Sequence, residues 1–202
     1  MRHSARGLTL IELMVTVVVL AILLAIGVPS FREFYLNNRI TSQINMLHSH
    51  LLLARSEAVK RNRAALVCGR AADSLPCADR DWSQGWVVFV DRDGDGIPTL
   101  DSPTGCAQQG DAAALPGDDC ILATAGPLEA DLTLTAGTGI NGMLSFGGFG
   151  NARCREGFLE ECYFTLCDSR GSESALSLIV GRTGHAQTSR TTPDSEKLTC
   201  PE

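Results

Sequence analysis

The 202-residue sequence predicts an α+β fold: one long N-terminal helix packed on an antiparallel β-sheet, with disulfides stabilising the remainder. Three observations carry this. A nearly unbroken apolar run from Leu8 to Val28 leads, past Pro29, into an amphipathic helical stripe. Beyond residue 62 the pattern changes to short β-branched or alternating runs separated by Gly, Pro, Asp and Ser. All eight cysteines lie in that second region, a density that points to an oxidising compartment or to metal sites.

Between Leu8 and Val28 only Thr9, Glu12, Thr16 and Gly27 interrupt the apolar residues, enough helix to cross the hydrocarbon core of a bilayer. Arg2, His3 and Arg6 precede it, and this basic bias places the N-terminus in the cytoplasm and the larger part of the chain outside. A secretory signal would have a shorter apolar core followed by a small-residue cleavage site, whereas Pro29-Ser30-Phe31 follows here. Glu12 is the anomaly. A carboxylate inside such a run costs on the order of 2.5–3.5 kcal/mol at a helix centre, so it calls for a partner or a function.

After Pro29 the residues Leu36, Ile40, Ile44, Leu47, Leu51, Ala54 and Ala58 recur at spacings of three and four, on one helix face. The helix therefore extends to about Arg61, bent or loosened near Gly27-Val28-Pro29 because proline removes a donor and crowds the preceding turn. Its outer half needs cover, from the chain's own sheet or from a coiled-coil partner. Strands are predicted at Ala64 to Cys68, Gly85 to Val90, Leu132 to Thr135, Met143 to Phe146, Tyr163 to Cys167 and Ala175 to Val180.

Composition excludes several functions. With 17 Lys+Arg against 23 Asp+Glu the chain is acidic, unlike a general nucleic-acid coat, and 5% aromatics leave little for an aromatic-lined cofactor pocket. No G-x-S-x-G, Walker loop or H-E-x-x-H occurs, so the sequence offers no enzymatic signature.

The segment Gly7-Leu8-Thr9-Leu10-Ile11-Glu12-Leu13, with its basic leader and apolar tail, resembles the N-terminal signature of type IV pilin-like proteins. The resemblance implies that a prepilin peptidase cuts between Gly7 and Leu8 and methylates the new amine of Leu8, where phenylalanine is the usual residue. It assigns Glu12 to assembly: in a filament core of packed apolar helices a buried carboxylate is tolerated when paired, and the free amine of a neighbouring Leu8 is the available cation.

Further along, Leu53-Ala54-Arg55-Ser56-Glu57-Ala58, Gly85-Trp86-Val87-Val88-Phe89-Val90-Asp91, Leu144-Ser145-Phe146 and Leu176 to Gly184 resemble the GspH/FimT branch of that family, with 101–126 reading as an insertion. The implied organisation is a leader at 1–7, a transmembrane and filament-core helix at 8–28, its amphipathic continuation at 29–62 and a β-rich domain at 63–202. The implied function is that of a minor pilin, a structural subunit that takes part in pilus assembly near the tip. The alternatives are a minor pseudopilin of a type II secretion system and a pilus-borne DNA receptor for natural transformation. Implied partners are other pilins, the prepilin peptidase and the inner membrane, with the C-terminal domain periplasmic before the subunit reaches the filament.

Eight cysteines allow about a hundred pairings. Short local loops suggest Cys68–Cys77, Cys106–Cys120 and Cys154–Cys162, which leaves Cys167–Cys200 to tie down the tail. No C-x-x-C occurs, and the histidines make no zinc spacing with the cysteines. Asp91, Asp93, Asp95 and Asp101 resemble a calcium loop of the D-x-D-x-D-G type, but the twelfth position is Ser102, and acidic, glycine-rich segments of this kind also form simple turns. No other cofactor is expected. DNA-binding relatives carry a glycine-arginine motif whose counterpart here is Gly181-Arg182-Thr183-Gly184-His185-Ala186, with His and Ala in place of arginines; the DNA candidates are Arg61, Arg63, Arg182 and Arg190.

Overall fold

The computed structural model describes residues 9–70, 82–97, 119–129, 131–137, 139–140, 142–154 and 162–201. Its first element is a helix of 52 residues, α1 (Leu10–Arg61). The chain divides into two compact units between Arg39 and Ile40.

In the first unit the apolar side chains from Leu10 to Val28 are all largely exposed, as a helix that is hydrophobic all round must be when no partner covers it. Polar side chains in this stretch bond their own backbone: Thr16 Oγ1 donates to the Leu13 carbonyl at 2.8 Å and Ser30 Oγ to the Ile26 carbonyl at 3.2 Å. Helix α1 continues as one element through Pro29, where the sequence predicts a bend or loosening. Ser30 Oγ engages the Ile26 carbonyl, next to the Ala25 carbonyl that Pro29 cannot serve with an N–H.

The second unit contains the rest of α1 and, among the described residues, nine strands: β1 (Ala65–Gly69), β2 (Trp86–Val90), β3 (Cys120–Ala125), β4 (Thr133–Ala136), β5 (Met143–Phe146), β6 (Ala152–Cys154), β7 (Cys162–Cys167), β8 (Leu176–Val180) and β9 (Ala186–Ser189). Every pairing is antiparallel, and the strands form two sheets, ordered β3-β2-β1-β5-β6 and β4-β7-β8-β9. The helix ends in a Schellman arrangement. Asn62 takes the left-handed conformation at φ 50°, its N–H donates to the Val59 carbonyl, and the Arg63 N–H donates to the Ala58 carbonyl.

The stripe read from the sequence is the buried face of the helix. Ile40, Ile44, Leu47, Leu51, Ala54 and Ala58 join one core with Val67 and Val88 of the first sheet and Phe164 and Leu178 of the second, so the chain's own sheets cover it. Strands β1 and β2 are buried on both faces: Leu66, Cys68, Val87 and Phe89 form a separate apolar cluster with Ile121 and Met143. Trp82 joins the two sheets. Its ring packs edge-on against Phe164 at 4.6 Å, and its backbone N–H donates to the Leu134 carbonyl of β4 at 2.8 Å.

Candidate assembly site

Helix α1 begins with a capping box. The Glu12 N–H donates to Thr9 Oγ1 at 3.3 Å, and the Thr9 N–H reaches back to Glu12 Oε2 at 3.5 Å. The Thr-x-x-Glu spacing is present in the sequence, and it adds a local capping role to the membrane cost and the assembly role expected for Glu12. A carboxylate in the first turn also complements the positive end of the helix dipole. Glu12 thus has a local partner in the isolated subunit while remaining exposed.

At the other end of the helix, two side chains fasten α1 to the strands. Trp86 is fully buried, and its Nε1–H donates to His50 Nδ1 at 2.9 Å. That bond requires neutral His50, and burial holds the His50 pKa below its ordinary value. Arg55 spans two turns: Nε donates to the Gly150 carbonyl at 3.0 Å and Nη2 to the Thr183 carbonyl at 2.9 Å. Gly150 and Gly184 both have positive φ, 76° and 75°, and a side-chain carbon at Gly184 would fall on the Gly150 carbonyl oxygen. The Gly181–Gly184 segment is therefore a tight β8–β9 turn pressed against the β5–β6 turn and clamped by Arg55.

The acidic segment after β2 folds into a turn. Asp91 accepts from the Gly94 and Gly96 N–H groups at 2.6 and 3.2 Å, Asp93 from the Asp95 N–H at 3.1 Å, and Asp95 from the Ile97 N–H at 2.7 Å. Ligand oxygens of all three lie within 4.8 Å of one another. Burial raises the Asp91 pKa, with the nearby Asp119 and Asp93 carboxylates acting in the same direction against the two backbone donors. Asx-type bonds of this kind account for the clustering by turn geometry.

The family model described as type II transport protein GspH matches residues 43–184. The chain belongs to the GspH family. A second model, the prokaryotic N-terminal methylation motif, matches residues 2–28 of this GspH-family protein. Among solved structures it is similar to the type IV minor pilin FimU of Pseudomonas aeruginosa strain PAO1. The identity is 22% and the TM-score 0.50, over 80% of this chain and 98% of the FimU chain. Another crystal form of FimU gives 21% and 0.47, over 77% and 98%. The first likeness shows the fold, the type IV pilin arrangement of a long helix packed on antiparallel sheets. No characterised protein matches the sequence significantly.

The structure places the other sequence-predicted residues of this GspH-family chain as follows. Gly7, Leu8, Cys77, Asp101 and Cys106 lie outside the described residues. Cys154 pairs with Cys162, with Cα atoms 6.0 Å apart, and Cys167 with Cys200, at 5.9 Å. Cys68 and Cys120 are also disulfide-bonded. The four arginines have separate settings. Arg61 pairs with Glu57 at 2.6 Å, Arg63 donates to the Arg92 carbonyl at 2.9 Å, Arg182 is exposed in the β8–β9 turn, and Arg190 follows β9. The clamp formed by Arg55 has no local signal in the sequence, because its carbonyl partners, Gly150 and Thr183, lie 95 and 128 residues away.

Proposed function

We propose that this chain is a minor pilin. In this reading it is anchored in the inner membrane through Leu8–Val28 with its N-terminus in the cytoplasm, cut between Gly7 and Leu8, methylated at Leu8, and built into a type IV pilus near its tip, where it helps to start assembly. The observation that carries the reading is the division of labour along α1. Its first part exposes apolar side chains on every face with Glu12 in the first turn, while its later part buries a stripe against the chain's own sheets. A helix built this way has its cohesive surface in reserve for lipid first and for other helices afterwards. The match to the N-terminal methylation motif and the fold shared with FimU support it.

The mechanism is assembly. The globular unit is held to the helix by the Trp86–His50 and Arg55–Gly150 bonds, so force on the helix is borne by the folded domain. On leaving the bilayer, Glu12 pairs with the amine of a neighbouring processed subunit, which offsets the cost of burying its charge. The test is deletion of the gene with piliation as the readout: loss of surface pili, restored by the wild-type chain, supports the reading, and normal piliation opposes it.

A minor pseudopilin of a type II secretion system is the second reading, favoured by the family description itself. The same deletion separates the two, because a pseudopilin would abolish export of folded substrates and leave pili intact.

A further inference from the structure

The chain has 7 Phe, 2 Tyr and 2 Trp, and three of these aromatic residues, Phe31, Phe34 and Tyr35, fall within one short stretch of α1. No aromatic residue occurs from Leu8 to Ser30. The three side chains are 70%, 63% and 53% exposed. Their spacing of three and four residues puts them on one helix face, with the rings of Phe31 and Phe34 centred 6.5 Å apart. Leu36, the first residue of the buried stripe, lies on the other side of the helix. Asn37, Asn38 and Arg39 follow at once, so the rings stand where the sequence passes from apolar to polar.

Length decides what such a face can meet. At about 1.5 Å per residue, Leu8–Val28 covers about 31 Å, which matches a hydrocarbon core of about 30 Å. The headgroup layers add about 5–7 Å on each side. The backbone of Phe31, Phe34 and Tyr35 lies about 4–10 Å beyond Val28 along the helix axis, and helical side chains lean toward the N-terminus, which carries the rings back into that layer. Aromatic side chains favour this boundary, where an apolar ring and a polar tip such as the Tyr35 hydroxyl both find their medium. We propose that Phe31, Phe34 and Tyr35 form an anchor seated among the phospholipid headgroups of the outer leaflet of the inner membrane, and that this anchor fixes the depth of α1. The inference rests on the membrane-anchored reading above and adds a lipid surface as the partner of residues beyond the span. With the rings held at the outer boundary, Leu8 lies about 35 Å away along the helix, at the cytoplasmic boundary where that reading places the cut. A neighbouring helix is the poorer occupant in the bilayer, because close helix pairs there favour small residues, while this face carries three large rings with Arg32 and Glu33 among them.

The full-length chain, expressed alone in a bacterial inner membrane with the photo-cross-linking residue benzoylphenylalanine in place of Val18, Phe34 or Ser42, tests this by mass spectrometry of the adducts. The expected result is a phospholipid adduct at positions 18 and 34 and none at 42. In the chain labelled at 34, Phe31→Ser with Tyr35→Ser should lower the lipid adduct about tenfold, the scale of half-burying two rings, while the adduct at 18 persists. Phe31→Trp with Tyr35→Trp should keep it, because tryptophan suits the same boundary. A lipid adduct at 18 without one at 34 overturns the anchor and leaves the membrane span standing. Chain-to-chain adducts at 34 in place of lipid, a serine pair that leaves the yield unchanged, or a tryptophan pair as poor as the serine pair also overturn it. No lipid adduct at 18 overturns the membrane-anchored reading itself, and the anchor with it.

Discussion

The indole N–H of Trp86 donates to Nδ1 of His50 across 2.9 Å, joining the C-terminal part of α1 to the first residue of β2. The rings meet nearly edge-on, with centroids 5.9 Å apart. His50 is the acceptor, so a proton on Nδ1 removes the bond.

This makes stability pH-dependent. Burial lowers the folded-state pKa of His50 below its ordinary 6.5, so the unfolded chain takes up the proton first as pH falls. The contribution of His50 is fully present above pH 6.5 and is lost as pH falls through the lowered folded value. His50→Leu should flatten this part of the pH profile and, by leaving a buried indole N–H unpaired, cost about 1–3 kcal/mol at pH 7.5. Urea melts of both proteins across pH 5–8 measure it.

Arg55 should matter to the fold more than its partly exposed position suggests. Arg55→Ala removes two hydrogen bonds to carbonyls of separate turns and should cost about 1–3 kcal/mol. Gly184→Ala combines an unfavourable positive φ with a collision at the Gly150 carbonyl and should destabilise by at least about 1 kcal/mol. Because both act on one knot, the double variant should fall short of the sum, which a double-mutant cycle reads directly.

The two described disulfides should contribute unequally. Cys167–Cys200 spans 33 residues and Cys154–Cys162 spans 8, so chain entropy gives about 3.7 kcal/mol for the first and about 2.5 kcal/mol for the second. The tail bond also covers a small cluster of Cys167, Ala175 and Leu198. Paired Cys→Ser replacements compared by urea denaturation should reproduce that order.

Much of this architecture was legible in the residues. The stripe from Leu36 to Ala58 announced its own burial, and six strands were read within a residue or two because their β-branched runs are bounded by turn formers. Three were not. Cys120–Ala125 lay inside what read as an insertion, and its pairing to β2 carries a register shift at Val88/Phe89. Ala152–Cys154 is too short to show a period, and Ala186–Ser189 is a polar edge strand with little apolar signal. The division into two sheets where one was expected is a matter of long-range pairing, β1 with β5 and β4 with β7, which no local pattern encodes. The same limit hid the clamp at Arg55. The N-terminal signature, by contrast, is contiguous and needed no tertiary contact to be seen.

The central claim is that Glu12 acts through its charge in the filament, beyond capping its own helix through Thr9. Glu12→Gln separates the two roles, since glutamine serves a capping box but cannot pair with an amine as an anion. The decisive measurement is the amount of Glu12→Gln chain in sheared pili relative to wild type, with equal amounts in the membrane fraction as the control. Loss of a buried ion pair, on the order of 3–5 kcal/mol, predicts a deficit of more than about a hundredfold in the pilus fraction. Incorporation at the wild-type level would contradict the account.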